Sequence, residues 1–295
     1  MGSAPLPVAS KPPPPPLPKL DTPELDEQLV VLSTVCHAAV KRNEKKVQYV
    51  GCAECLGTSA PTEPDGSVVM DPEDLFYPLR SFTHGSFTKP GADEVAISID
   101  GCEPHSSNYG GMLVAERKAG TAWKLARYDS GVHPESCEAF RRKDGRDILV
   151  CRWQDGHQSY WHDRILSYDF VAAGPDGTGD GFTELLSMED NIIPGCMGVE
   201  PGTEVRAGQV DSYGLKDETG DGVPDLWVAV SQYKSKETNV YKAACKKWID
   251  AVNNEKPEPE LRPSLGKKRN ARLVYTYNGT TFVPTEATKK VLGTL

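Results

Sequence analysis

From about residue 79 to the end, the chain alternates short β-prone runs with turns rich in Gly and Asp. The runs are Val95–Ile99, Met112–Glu116, Trp123–Tyr128, Ile148–Trp153, Ile165–Phe170, Glu184–Ser187, Leu226–Ser231, Arg272–Tyr277 and Thr280–Val283. Tyr277-Asn278-Gly279-Thr280 is the strongest hairpin signal, because Asn-Gly supplies the positive φ angles of a tight turn. Upstream the period changes. Leu25, Leu29, Leu32, Val35 or Cys36, and Ala39 recur every three or four residues, which predicts a helix with one buried face. Thr22 can cap that helix with Pro23 at its first position, and Lys41, Arg42, Lys45 and Lys46 fall where cations suit the dipole. Val47–Val50 reads as a short strand and 57–74 as loop. Val240–Asn253 is a late helix, with Tyr241, Ala244, Cys245, Trp248, Ile249 and Val252 on one side. Residues 285–295 close with a short helix.

The expected organisation has three parts. Residues 1–22, with prolines at 12 through 16, form an extended polyproline tether. Residues 23–78 carry the helix, strand and loop packed on the main domain. Residues 79–295 form a mainly β repeat domain that includes the late helix. The 295 residues and 32.2 kDa suffice for one large core. A net charge of -9 supplies no general basic field for a phosphate backbone, so nucleic acid is not expected as a partner. No apolar run reaches 18 residues, so no transmembrane segment is expected. The first residues lack the basic and apolar regions of a signal peptide.

Four segments repeat one design, a polar turn followed by an acid and an apolar strand. The acids are Glu94, Asp147, Glu184 and Asp225. The closest copies of one another are Asp176-Gly177-Thr178-Gly179-Asp180-Gly181-Phe182-Thr183-Glu184-Leu185 and Asp217-Glu218-Thr219-Gly220-Asp221-Gly222-Val223-Pro224-Asp225-Leu226. These segments resemble the FG-GAP/VCBS-type repeats of integrin-like β-propellers, over about residues 80–285. The resemblance implies a β-propeller-like or irregular β-repeat fold.

Each loop also has a chemistry of its own. Asp176, Thr178, Asp180 and Glu184 stand at positions 1, 3, 5 and 9, and Asp217, Thr219, Asp221 and Asp225 repeat the spacing. With the carbonyls of Phe182 and Val223 at position 7, each set offers the hard oxygens that suit Ca²⁺. Two structural calcium ions are therefore expected. The alternative is an Asp/Gly turn whose carboxylates are satisfied by backbone N–H groups.

Eight cysteines favour an extracytoplasmic, disulfide-bonded protein that is secreted, periplasmic or at the cell surface. The expected pairs are Cys36 with Cys52 or Cys55, Cys137 with Cys151, and Cys196 with Cys245. The Cys52-x-x-Cys55 spacing also fits a redox dithiol or, with Cys36 and His37, a zinc site. His157 and His162 flank Tyr160 and Trp161, with Asp155 and Asp163 nearby, the densest polar-aromatic patch in the chain. His162 and Asp163 cannot form a relay as strand neighbours, because they face opposite ways. The leading functional expectation is a non-catalytic, calcium-stabilised β-repeat scaffold that presents loops to a protein or glycan partner. The alternatives are a secreted hydrolase-like enzyme using His133, His157 or His162, and a structural component of a surface assembly tethered through the proline segment.

Overall fold

The computed structural model describes residues 22–34, 36, 39–44, 47–52, 77–100, 110–130, 133–157, 160–172, 181–197, 204–235 and 239–295. Helix α1 (Thr22–Leu32) is followed by strands β1 (Ala39–Glu44), β2 (Val47–Cys52), β3 (Tyr77–Gly85), β4 (Asp93–Ile99), β5 (Gly111–Arg117) and β6 (Lys124–Ser130). Next come β7 (Ser136–Arg141), β8 (Asp147–His157), β9 (Tyr160–Tyr168), β10 (Phe182–Asp190), α2 (Ile192–Met197), β11 (Val205–Lys216) and β12 (Asp225–Ser235). The chain ends with α3 (Asn239–Asn253), a 3-10 turn (Arg262–Leu265), β13 (Arg269–Tyr277), β14 (Phe282–Pro284) and α4 (Glu286–Leu292).

The strands form two open antiparallel meanders in sequence order, six strands from β1 to β6 and eight from β7 to β14. The second meander narrows at β10–β11, where the ladder holds a single pair, Asp190 with Ala207. There the sheet folds back, and its two four-stranded halves face each other. Ile148, Val150, Ile165, Leu186 and Met188 of the first half pack against Val228, Val230, Leu273 and Tyr275 of the second. The Phe140 ring on β7 lies 4.6 Å from Tyr277 and 4.9 Å from Phe282, at the opposite edge of the same sheet.

The β7–β10 half is buried on its other face too. Leu149, Cys151, Leu166, Tyr168 and Phe170 meet Phe87, Ala96, Met112 and Val114 of the first sheet. Burial on both faces explains why Ile148–Cys151 reads as an unbroken apolar run. The far face of the first sheet, through Val95, Ile97, Ile99 and Leu113, is covered by Leu25, Val31 and Leu32 of α1. The far face of the second, through Val205 and Ala207, is covered by Tyr241, Cys245 and Trp248 of α3. The layers thus stack in line, with a helix over each outer face.

That arrangement corrects the expected propeller. A propeller closes radially, whereas these sheets are open and their outer faces are occupied by helices. The resemblance to FG-GAP/VCBS repeats therefore does not extend to the fold, although the chain is mainly β as expected. The first helix is also shorter than its periodicity suggested. It stops at Leu32, and Lys41 and Arg42 belong to β1, paired with Val50 and Tyr49 of β2, rather than to a helix terminus.

The repeated acid has a physical meaning of another kind. Glu94 accepts hydrogen bonds from the backbone N–H groups of Phe87 (2.5 Å) and Thr88 (2.9 Å), seven and six residues upstream. Asp225 does the same with Glu218 (2.9 Å) and Thr219 (2.8 Å). Both acids are about 1 % exposed. Each therefore clasps the turn that precedes its own strand. Asp147 instead reaches another hairpin, accepting from Ser86 N (2.7 Å) and from Arg141 Nε (2.5 Å). Glu184 is exposed, with Arg164 Nε at 3.3 Å, and the turn before it lies outside the described residues. Asp225→Ala should cost about 2–3 kcal/mol by leaving two N–H groups without their acceptor. Denaturant unfolding checks this, and a loss below ~0.5 kcal/mol would show the clasp to be ornamental.

Three disulfides join described residues, Cys36–Cys52, Cys137–Cys151 and Cys196–Cys245. They match the expected pairings. The first ties the segment after α1 to β2, the second is a cross-strand pair of β7 and β8, and the third fastens α2 to α3. Cys52 is accordingly unavailable for a redox dithiol or zinc site. Cys55 and His37 lie outside the described residues.

Candidate functional site

The β10–β11 fold creates a cleft of about 330 Å³ between the halves of the second sheet. Strand alternation supplies its lining. Arg152 and Gln154 on β8, and Trp161 and Asp163 on β9, point to the side that faces β11. Asp190 enters at the end of β10, Gly208 to Asp211 come from β11, and Arg262 comes from the 3-10 turn. Gly156 is paired with Trp161, and a Cβ at that position would fall 2.4 Å from the indole. The glycine is what lets the indole lie across β8.

The cleft is polar but internally balanced. Asp163 accepts from Arg152 Nε (2.8 Å) and Nη2 (2.6 Å), and also from Val210 N (2.7 Å). Asp190 accepts from Arg262 Nη2 (3.0 Å) and Ile192 N (3.2 Å), yet burial raises its pKa above the usual carboxylate value. Asp211 accepts from Gln209 Nε2 (2.7 Å) and Ser231 Oγ (2.9 Å), with Lys268 Nζ at 3.9 Å. Behind the cleft, Glu135 accepts from Gln154 N (2.9 Å), and burial pushes its pKa up to about 8. Each arginine in the lining already holds a carboxylate, so the surface offers paired ions and amides beside one aromatic plane.

His162 borders this cleft and also a second cavity of about 320 Å³, where Leu186, Met188, Leu292 and Leu295 supply apolar wall. Its Nδ1 lies 3.4 Å from Ser187 Oγ. Trp161, His162 and Asp163 thus do share a cavity, as the density of that patch suggested. Asp163 turns inward to Arg152. His133 packs edge-on against Trp153, 6.0 Å between ring centres. His157 terminates β8.

The calcium loops fare differently. Asp176, Thr178 and Asp180 lie outside the described residues, while Phe182 and Glu184 stand on β10. In the other loop the carboxylates face backbone N–H groups. Asp217 accepts from Gly220 (2.6 Å) and Gly222 (2.9 Å), which hold its pKa below the usual value. Asp221 accepts from Val223 N (2.9 Å), and Asp225 from Thr219 N as described above. Gly220 and Gly222 have φ of 79° and 84°, the left-handed region the turn requires. Among the described residues no group of three or more His, Cys, Asp or Glu side chains is placed to hold a metal ion. The expected calcium-stabilised, loop-presenting scaffold is therefore not upheld.

The cleft residues that sequence reasoning missed are Arg152, Gln154, Asp190, Gln209, Asp211 and Arg262. Their signal exists only across strands. No family model matches the chain, and neither the curated proteins nor the solved structures contain a match. Among the described residues, no helix is long and apolar enough to cross a membrane.

Proposed function

We propose that this protein is a binding module that holds a saccharide segment in the cleft between the halves of its second sheet. The observation that carries the reading is the pairing of a charge-balanced, amide-bearing floor with the Trp161 plane. A sugar ring presents an apolar face and a rim of hydroxyls. Such a rim can exchange hydrogen bonds with Gln154, Gln209 and the outer atoms of the Arg–Asp pairs. The three disulfides support residence outside the reducing cytoplasm.

Tryptophan fluorescence during titration with neutral hexasaccharides of different linkage tests the reading. At least one should bind and perturb the emission. Trp161→Ala should weaken that binding by roughly 30-fold, the effect of losing about 2 kcal/mol of aromatic contact, while the melting temperature moves little. Binding that is indifferent to Trp161, or absent for neutral and acidic saccharides alike, rejects the cleft as a saccharide site.

A further inference from the structure

The charge of this chain is unevenly placed. Residues 239–295 carry eleven Lys and Arg against five Asp and Glu, a local charge of +6 within a chain of -9. The rest of the molecule is therefore at -15. Part of the positive segment borders the cleft. Arg262 lines it, and Lys267, Lys268 and Arg269 follow directly, all three exposed at the head of β13.

The register extends this basic edge. Arg269 pairs with Gln232 of β12, and Lys234, two residues further along β12, pairs with Arg206 of β11. Lys234 Nζ (3.2 Å) and Arg206 Nη2 (3.0 Å) share the carboxylate of Glu204, and Lys234 Nζ also donates to the Leu295 oxygen (3.3 Å). Arg269 donates to a carbonyl, that of Thr294 (3.0 Å), and so keeps its full charge. Lys268 is 3.9 Å from Asp211 and thereby joins the rim to the cleft wall. A floor of paired ions, its third carboxylate Asp211 set 3.9 Å from Lys268, thus opens onto an edge that also carries Lys267 and Arg269.

We infer that the ligand of this site is an acidic glycan, whose carboxylate or sulfate groups lie along Lys267, Lys268 and Arg269 while a ring rests on Trp161. The inference rests on the saccharide reading above and narrows it. The rest of the chain carries a net negative charge, which disfavours a polyanion there and helps align an acidic glycan on this basic edge.

The test compares three fluorescently labelled hexasaccharides on the full chain, one of galacturonate, one heparin-like and one neutral, between 50 and 300 mM salt. At low salt at least one acidic probe should bind ~10-fold or more tighter than the neutral one, with an affinity that falls steeply with salt. The Lys267→Gln, Lys268→Gln double variant should erase most of that difference and flatten the salt slope by about two. Circular dichroism and melting confirm that the variant is folded. Neutral and acidic probes binding equally would overturn the inference and leave the cleft reading standing. A single-stranded oligonucleotide competing as well as the acidic glycans would also overturn it, since the site would then read charge alone. Failure of all three saccharides would remove the cleft reading itself.

Discussion

Asp163→Ala is expected to destabilise this protein by about 3–5 kcal/mol, the usual result of removing one partner from a buried ion pair. Asp163 is 5 % exposed and serves three donors, two on Arg152 and one at Val210 N. The donors come from two strands, β8 and β11, on either side of Asp163 on β9, and the last contact spans the fold of the second sheet. Alanine would strand the Arg152 guanidinium and leave Val210 N without its acceptor. The midpoint of thermal unfolding should fall by roughly 10 °C for a domain of this size. Asp163→Asn, which keeps one acceptor oxygen, should lie between the two. Replacing both partners, as in Arg152→Met with Asp163→Leu, should cost much less than alanine alone, because no charge is then left unpaired. A single-variant loss below about 1 kcal/mol would show that the fold does not depend on this junction.

The strands that alternate cleanly were readable along the chain. Leu226, Val228 and Val230 face the core between the halves, and the run Leu226–Ser231 lies inside β12. β11 was not readable, although at 12 residues it is the longest strand among the described residues. Its sequence holds two glycines, and glycine weakens any strand signal. The structure gives both a reason. A Cβ on Gly208 would sit 3.0 Å from Met188 Cε, and one on Gly214 would sit 3.0 Å from the Trp227 ring. β1 was misread for another cause. Ala39 continues the helical spacing of α1, but its neighbours pair across to β2, so tertiary pairing overrides local period.

The repeated acids show why a motif can be read correctly as a pattern and wrongly as a chemistry. Spacing reveals that Asp217, Asp221 and Asp225 belong to one turn. It does not reveal whether their oxygens meet a cation or the turn's own N–H groups, since both solutions place them at alternate positions. Hydrogen-bond geometry decides for the N–H groups at Asp217 and Asp225. Likewise the histidine-tryptophan patch was visible as composition, but the cleft was not. Its floor is assembled from residues as far apart as Arg152 and Arg262, brought together by the fold at Asp190 and Ala207.

Glu135 offers the second large effect, and its sign follows from burial. Removal from water raises its pKa most. Arg152 and Arg80 oppose the rise, Asp163 reinforces it, and the Gln154 N–H also favours the ionised form. Arg80 is itself committed to Asp100, and Arg152 to Asp163, so neither cation is free to hold Glu135 ionised. The carboxyl therefore stays protonated to about pH 8 when folded, against 4.5 for an unperturbed glutamate. The native state then binds more protons than the unfolded state throughout that window. Stability is fully present below about pH 4.5 and is lost as pH rises through 8. At about 1.4 kcal/mol per pH unit, the loss attributable to this group is of the order of 3–5 kcal/mol by pH 9. Glu135→Gln should remove that slope, because the amide oxygen can still accept from Gln154 N and carries no charge at any pH. Urea unfolding at half-unit steps from pH 5 to 9 would reveal the difference. The variant should gain on the parent steadily from pH 5 to about 8 and level off above that, and parallel curves would mean that Glu135 ionises without cost where it stands.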